Sequence, residues 1–86
     1  MTVRYEGRVQ GVGFRFRARE AATTRALSGW VRNEPDGSVS LAAEGQKAAL
    51  LGLLGDIRRG PLGRHVFRET VAWSTASGEE KGFRVV

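Results

Sequence analysis

Apolar and polar residues alternate along several segments of this chain, which is the pattern of a half-buried β-strand. In the first segment Val3, Tyr5 and Val9 share one face, and charged residues occupy the other. Five segments are predicted as strands: residues 2–9, 29–33, 38–43, 66–74 and 83–86. The turn-forming residues 35–37, Pro-Asp-Gly, lie between the second and third segments, which are therefore expected to form a hairpin.

Two other segments repeat their apolar residues at the helical spacing of about 3.6. Residues 14–27 predict a short, arginine-rich helix, and residues 46–59 predict a second helix that ends at Gly60-Pro61. The apolar stripe of the second helix is expected to comprise Leu50, Leu51, Leu54 and Ile57. Glu69 interrupts the apolar face of the fourth strand, so we expect that end of the strand to lie near solvent.

The resulting element order is βαββαβ with a short extra strand at the C-terminal end. If both crossovers are right-handed, the two helices cover one face of an antiparallel sheet. The predicted fold class is therefore α+β, a ferredoxin-like sandwich, and residues 1–86 are long enough for a single domain only. This architecture hosts many functions and by itself decides none.

The formal net charge of +5 is concentrated in the first third of the chain. Residues 1–32 hold seven arginines and two glutamates, whereas the remainder holds equal numbers of basic and acidic groups. An anionic partner is therefore expected there. Because the chain has no cysteine and only one histidine, His65, a disulfide framework, a thiol nucleophile and a multi-histidine metal cluster are excluded. We predict no metal and no cofactor.

No segment has the pattern of a signal peptide, and the longest apolar run, residues 48–54, is too short to span a bilayer. We therefore expect a cytoplasmic protein without a membrane partner. The arginines of the first helix, Arg17, Arg19 and Arg25, are most simply its solvated face, and they add to the positive potential met by an approaching anion.

The junction between the first strand and the first helix carries the candidate chemistry. Gly11 and Gly13 allow the backbone to bend so that successive N–H groups point into one concavity. The helix has no Ser, Thr, Asp or Asn at its N-cap, so an anion is free to satisfy its first N–H groups. Arg15 in the first turn can add charge-assisted bonds to a phosphate. An ordinary glycine-containing turn beside a solvated arginine explains this spacing equally well.

Asn33 is the second candidate, because it lies where the second strand enters the Pro-Asp-Gly turn. Its amide is able to bind water, a ligand or the turn backbone. From its position alone, stabilisation of the turn is the favoured interpretation.

Three segments taken together resemble the acylphosphatase family: GRVQGVGFR at residues 7–15, GWVRN at residues 29–33 and DGSV at residues 36–39. The likeness extends across nearly the whole chain. It implies a metal-independent hydrolase that cleaves the carboxyl–phosphate bond of acyl phosphates. Inorganic phosphate is then the product and a competitive inhibitor, and a monomer without a nucleic-acid partner is expected.

The resemblance also implies roles for individual residues. The arginine that matches Arg15 binds the phosphoryl group in that family, and the asparagine that matches Asn33 orients the attacking water, with no covalent intermediate. Backbone amides of the preceding loop share in phosphoryl binding, and here these belong to Gln10, Gly11, Val12, Gly13 and Phe14.

Two alternatives on the same fold are a single-stranded RNA-binding module and a small-anion-binding module. The isoelectric point of about 11.1 and the topology favour RNA. However, the aromatic residues that stack on bases belong on the third strand, and residues 38–43 contain none. A further alternative is the acylphosphatase-like domain of hydrogenase-maturation proteins, which belongs to a far longer chain. That domain usually has proline just after the Phe-Arg pair, whereas here Phe14-Arg15 is followed by Phe16 and Arg17, so this alternative is less favoured.

Overall fold

The computed structural model describes all of residues 1–86 and contains every predicted helix and strand, with element ends displaced by at most three residues. A short 3₁₀ helix before the fourth strand is the one element that the sequence pattern misses. The elements in chain order are β1 (Thr2–Gly7), α1 (Phe14–Thr24), β2 (Ser28–Asn33), β3 (Val39–Glu44), α2 (Lys47–Arg59), the 3₁₀ helix (Gly63–His65), β4 (Val66–Ala72) and β5 (Phe83–Val85).

The strands form one sheet in the order β4-β1-β3-β2-β5. The first four strands pair antiparallel, as expected, whereas β5 pairs parallel to β2 and makes the sheet mixed. The residues after β4 cross from one edge of the sheet to the other, so β5 arrives in the direction of β2. Both helices pack on the sheet, which confirms the ferredoxin-like architecture with its extra C-terminal strand.

A single apolar core of 17 residues fills the space between the sheet and the helices. The predicted stripe of α2 is wrong at one position, because Leu51 is 51% exposed and Leu53 is fully buried. Residues 50, 53, 54 and 57 follow the helical spacing more closely than a stripe through residue 51. No helix is both long and apolar enough to cross a membrane.

The strand β4 lies near solvent as expected, since none of its residues is fully buried, but the side chain of Glu69 itself is only 12% exposed. It pairs with Tyr5 across β1 and β4, and its carboxylate accepts hydrogen bonds from the guanidinium of Arg58 in α2, one of them at 2.8 Å. Burial raises the pKa of the Tyr5 hydroxyl, and the negative charge of the neighbouring Glu69 raises it further. The hydroxyl forms no hydrogen bond within the protein. The arginine supplied by α2 thus allows an acidic side chain to lie at the margin of the core.

Leu53 and Leu51 form a matched pair for testing this core. We expect Leu53→Ala to lower the free energy of unfolding by about 2 to 5 kcal/mol, because it removes a fully buried side chain. Leu51→Ala is the control in the same helix and should change it by about 0.5 kcal/mol or less. Urea denaturation followed by circular dichroism measures both, and equal losses would contradict the assigned orientation of α2.

Candidate active site

The loop between β1 and α1 is shaped by two glycines in the left-handed region. Gly11 has φ 77° and Gly13 has φ 80°, and Gly13 is also the N-cap of α1. A Cβ atom at either position would meet nothing within 4 Å. The backbone conformation, rather than a lack of space, therefore requires glycine at both positions.

The N–H groups of this loop have no acceptor inside the protein. None of the backbone N–H groups of residues 10–16 donates a hydrogen bond to a backbone oxygen, and no side chain caps α1. Seven consecutive donors are therefore available to solvent or to a ligand. Such a series of N–H groups at a helix N-terminus carries partial positive charge and is a suitable site for an anion.

Phe14 fixes the point at which α1 begins. It is 2% exposed, and its ring centroid lies 4.9 Å from that of Tyr5 in β1. Ala18 and Ala22 on the same face are fully buried, which brings α1 close to the sheet. Because successive helical residues are rotated by about 100°, Arg15 points away from this buried face and toward the cleft beside the loop.

Gln10 joins the loop to the hairpin that carries Asn33. Its Nε2 atom donates hydrogen bonds to the carbonyl oxygens of Glu34 at 2.8 Å and Ser38 at 2.9 Å. These two residues lie on the two sides of the β2–β3 turn. The side chain of Gln10 therefore fixes the position of the loop relative to the end of β2. Its position in the sequence does not indicate this role.

The Asn33 amide forms no hydrogen bond within the protein, so it does not stabilise the turn. Asp36 does so instead, since its Oδ1 accepts a bond from the Ser38 N–H at 3.0 Å and another from the Ser38 hydroxyl at 2.6 Å. These bonds, with a smaller contribution from Arg4, lower the pKa of Asp36 to about 2. With the turn closed by Asp36, the amide of Asn33 is free to bind something else.

A cleft of about 290 Å³ lies between the loop, the first turns of α1 and the end of β2. It brings together Arg15, Asn33 and three of the predicted loop residues. The side chains of Gln10 and Val12 do not line it, because Gln10 contacts the hairpin and Val12 packs against the core. The full lining is Val9, Gly11, Gly13, Phe14, Arg15, Phe16, Arg19, Asn33 and Val85.

Four lining residues were not among the predicted site residues: Val9, Phe16, Arg19 and Val85. Arg19 was expected on the solvated face of the helix, yet it is half-buried in the cleft wall, one turn after Arg15. The four-residue spacing between the two arginines is a signal that identifies Arg19. Val85 reaches the cleft only because β5 pairs with β2, and no local sequence pattern predicts that contact.

Two of the four arginines in the first third that have no carboxylate partner, Arg15 and Arg19, line this cleft. Arg4, Arg25 and Arg32 each have a carboxylate within 4 Å; Arg25, also expected on the solvated face of α1, donates two hydrogen bonds to Asp56 at 2.7 and 3.0 Å. No carboxylate lies within that distance of the other four arginines, which are Arg8, Arg15, Arg17 and Arg19. The structure contains no group of three or more His, Asp or Glu side chains that would hold a metal ion.

Comparison with known proteins gives one consistent family. Residues 1–85 match the family model described as Acylphosphatase. A curated acylphosphatase of Salinibacter ruber is 47% identical over 85 residues, which cover 99% of this chain and 90% of that protein. The crystal structure of acylphosphatase from Bacillus subtilis matches with a TM-score of 0.91 at 35% identity, covering 99% of this chain and 94% of that chain.

A longer protein also matches in structure. Full-length HypF, in its phosphate- and nucleotide-bound form, gives a TM-score of 0.90 at 26% identity, with 99% of this chain covered. Only 11% of the HypF chain is included in that match. The similarity therefore covers nearly all of the two acylphosphatases and a small part of HypF.

Gly13→Ala tests whether the left-handed loop binds an anion, with Gly78→Ala as its control. Gly78 has a similar φ of 75° and equally open surroundings but lies far along the chain, in the segment between β4 and β5. Both substitutions are expected to cost about 1 to 2 kcal/mol in stability. Only Gly13→Ala should weaken binding of inorganic phosphate, measured by calorimetric titration at a temperature where both variants are folded. Equal phosphate affinity in the two variants would contradict the assignment of the loop.

Proposed function

Because the chain belongs to the acylphosphatase family of acyl-phosphate hydrolases, we propose that Arg15, Asn33 and the backbone amides of residues 10–14 carry out this hydrolysis. The observation that carries the proposal is the series of seven N–H groups without an acceptor, adjoining an arginine that has no carboxylate partner. In phosphoryl transfer the protein contributes little covalent chemistry, because catalysis consists mostly of positioning the reactants and stabilising charge in the transition state. The cleft supplies both.

The phosphoryl group binds at the loop in this proposal. Backbone N–H groups and the guanidinium of Arg15 donate hydrogen bonds to its oxygens, and arginine can do so through two parallel bonds. Negative charge on these oxygens persists through the loose transition state. Donors that are already oriented stabilise that charge without reorganising during the reaction. The two hydrogen bonds from Gln10 to the hairpin and the burial of the Phe14 ring fix the orientation of these donors.

Asn33 holds the attacking water on the other side of the cleft. The water oxygen forms a bond to phosphorus while the bond from phosphorus to the acyl oxygen breaks, and that bonding pair leaves with the carboxylate. The proton of the water passes to a phosphoryl oxygen of the substrate, so no protein base takes part. A carboxylic acid has a pKa of about 4, and its anion therefore leaves without a general acid. The products are a carboxylate and inorganic phosphate, with no covalent intermediate.

The geometry favours this proposal over an RNA-binding module. RNA-recognition sheets present exposed aromatics and free cations on the face opposite the helices. Here three of the four arginines of that face have carboxylate partners, in the pairs Arg4–Asp36, Arg32–Glu34 and Arg84–Glu80, and only Arg68 has none. RNA binding would require a single-stranded RNA affinity in the micromolar range that falls steeply with salt. The monomeric state, the cytoplasmic location and competitive inhibition by phosphate remain predictions.

Phosphate release from benzoyl phosphate in the presence of EDTA tests the assigned roles. We expect Arg15→Ala to lower kcat/KM by about 10³-fold or more, because it removes the cation that neutralises transition-state charge. Asn33→Ala should lower kcat by about 10²-fold with a smaller effect on KM, because it leaves the phosphoryl site intact and removes only the group that orients the water. Inhibition by inorganic phosphate should survive in Asn33→Ala and weaken in Arg15→Ala.

Arg17→Ala is the control for loss of positive charge, since Arg17 is exposed on α1 and does not line the cleft. It should retain kcat/KM within about threefold, the size of a remote charge effect at ordinary salt. A folded wild type that releases no phosphate would refute the proposed function. Loss of activity in EDTA would refute metal independence, and an active Arg15→Ala variant would refute the role of Arg15.

A further inference from the structure

The cleft extends beyond the residues that the reaction uses. Arg15, Asn33 and the loop account for the phosphoryl end, and the wall continues along α1 through Phe16 and Arg19. The volume of about 290 Å³ is at the lower end of the range for small-molecule sites. A phosphoryl group fills only part of it, so the remainder is available to the acyl group.

Arg19 is held in this wall by Phe16. Its guanidinium carbon lies 5.2 Å from the centroid of the Phe16 ring, within the range of a cation–π contact. The ring itself is 53% exposed. The guanidinium of Arg19 lies over the Phe16 ring, so the two side chains form one surface of the cleft, and Val85 adds an apolar lining residue.

The positive charge of Arg19 has no counter-ion within the protein. Arg19 forms no ion pair, whereas Arg25, farther along the chain, is paired with Asp56. Arg15 and Arg19 lie four residues apart, and like charges at that spacing destabilise a helix. The only compensation is the contact with Phe16, which is itself largely exposed, and a local cost of this kind is typical of a functional site. An anion near Arg19 would relieve this repulsion.

We propose that Phe16 and Arg19 form the acyl subsite, and that it selects acyl phosphates whose acyl group bears a second negative charge. This inference rests on the proposed hydrolysis and specifies its substrate class. Four residues of helix rise by about 6 Å, which sets the separation between the two arginines along the axis. A short or aromatic acyl group with an anionic substituent about that far from the phosphoryl group fits both contacts.

Two synthetic substrates separate charge from shape. In 3-carboxybenzoyl phosphate the second carboxylate cannot reach the acyl carbon to cyclise, and 3-carbamoylbenzoyl phosphate is its neutral isostere. We expect wild type to prefer the charged substrate by about threefold to tenfold in kcat/KM, mainly through KM, because the contact is the same in ground and transition states. The preference should decline as salt concentration rises.

Arg19→Gln should abolish this preference, so that the ratio of kcat/KM for the charged substrate to that for the neutral isostere falls to about 1. Arg19→Lys keeps the charge and should restore part of the preference. Arg17→Gln removes an exposed charge that does not line the cleft, two residues away on the same helix, and should keep the wild-type ratio. These variants change half-buried or exposed side chains that form no hydrogen bond within the protein, so they are expected to fold.

Each other outcome overturns the inference in a distinguishable way. If wild type hydrolyses both substrates at equal kcat/KM, the acyl subsite does not select charge, although the proposed hydrolysis stands. If Arg17→Gln and Arg19→Gln reduce the ratio equally, the effect comes from the general positive potential rather than from a contact with Arg19. If folded wild type hydrolyses neither substrate, both the proposed function and this specificity are wrong.

Discussion

Seven consecutive N–H groups, from residue 10 to residue 16, lack an acceptor inside the protein. Almost all backbone N–H groups in folded proteins are paired with protein or water, so an oriented series of free donors is a distinctive feature. Left-handed glycines turn the loop, Phe14 anchors its end in the core, and Gln10 fixes its beginning to the hairpin. Because the donors are held in advance, an anion binds without a large cost in loop ordering.

The distribution of ion pairs determines which parts of the surface have a positive electrostatic potential. Three arginines of the first third are neutralised by carboxylates on the β2–β3 hairpin and on α2. The arginines of the first third without such partners belong to the loop and the first turns of α1, and later in the chain Arg64 and Arg68 also have no carboxylate partner. The result is a positive region around one cleft, which attracts small anions, rather than a uniformly basic surface suited to a long polyanion.

The predictions from sequence were accurate where a pattern reflects contacts close in the chain, and the errors have identifiable causes. The stripe of α2 was predicted to pass through Leu51, although the helical spacing favours Leu53, and the structure buries Leu53 and leaves Leu51 half exposed. Glu69 is an acidic residue on an apolar face, and only the position of Arg58 on α2 explains how it is tolerated there. For Asn33, position alone favoured a role in the turn, which Asp36 fills instead.

The sequence by itself determined the order of the elements, the glycine-rich junction, the absence of a capping side chain and the family resemblance, because these depend on residue types at short separations. The tertiary structure alone decided the long-range ion pairs Arg4–Asp36, Arg25–Asp56 and Arg58–Glu69, since their partners are distant in the chain and are brought together by the fold. It also decided that Gln10 reaches the carbonyl groups of residues 34 and 38, and that Val85 borders the same cleft as Arg15. Such contacts arise from the packing of whole elements, which local periodicity does not encode.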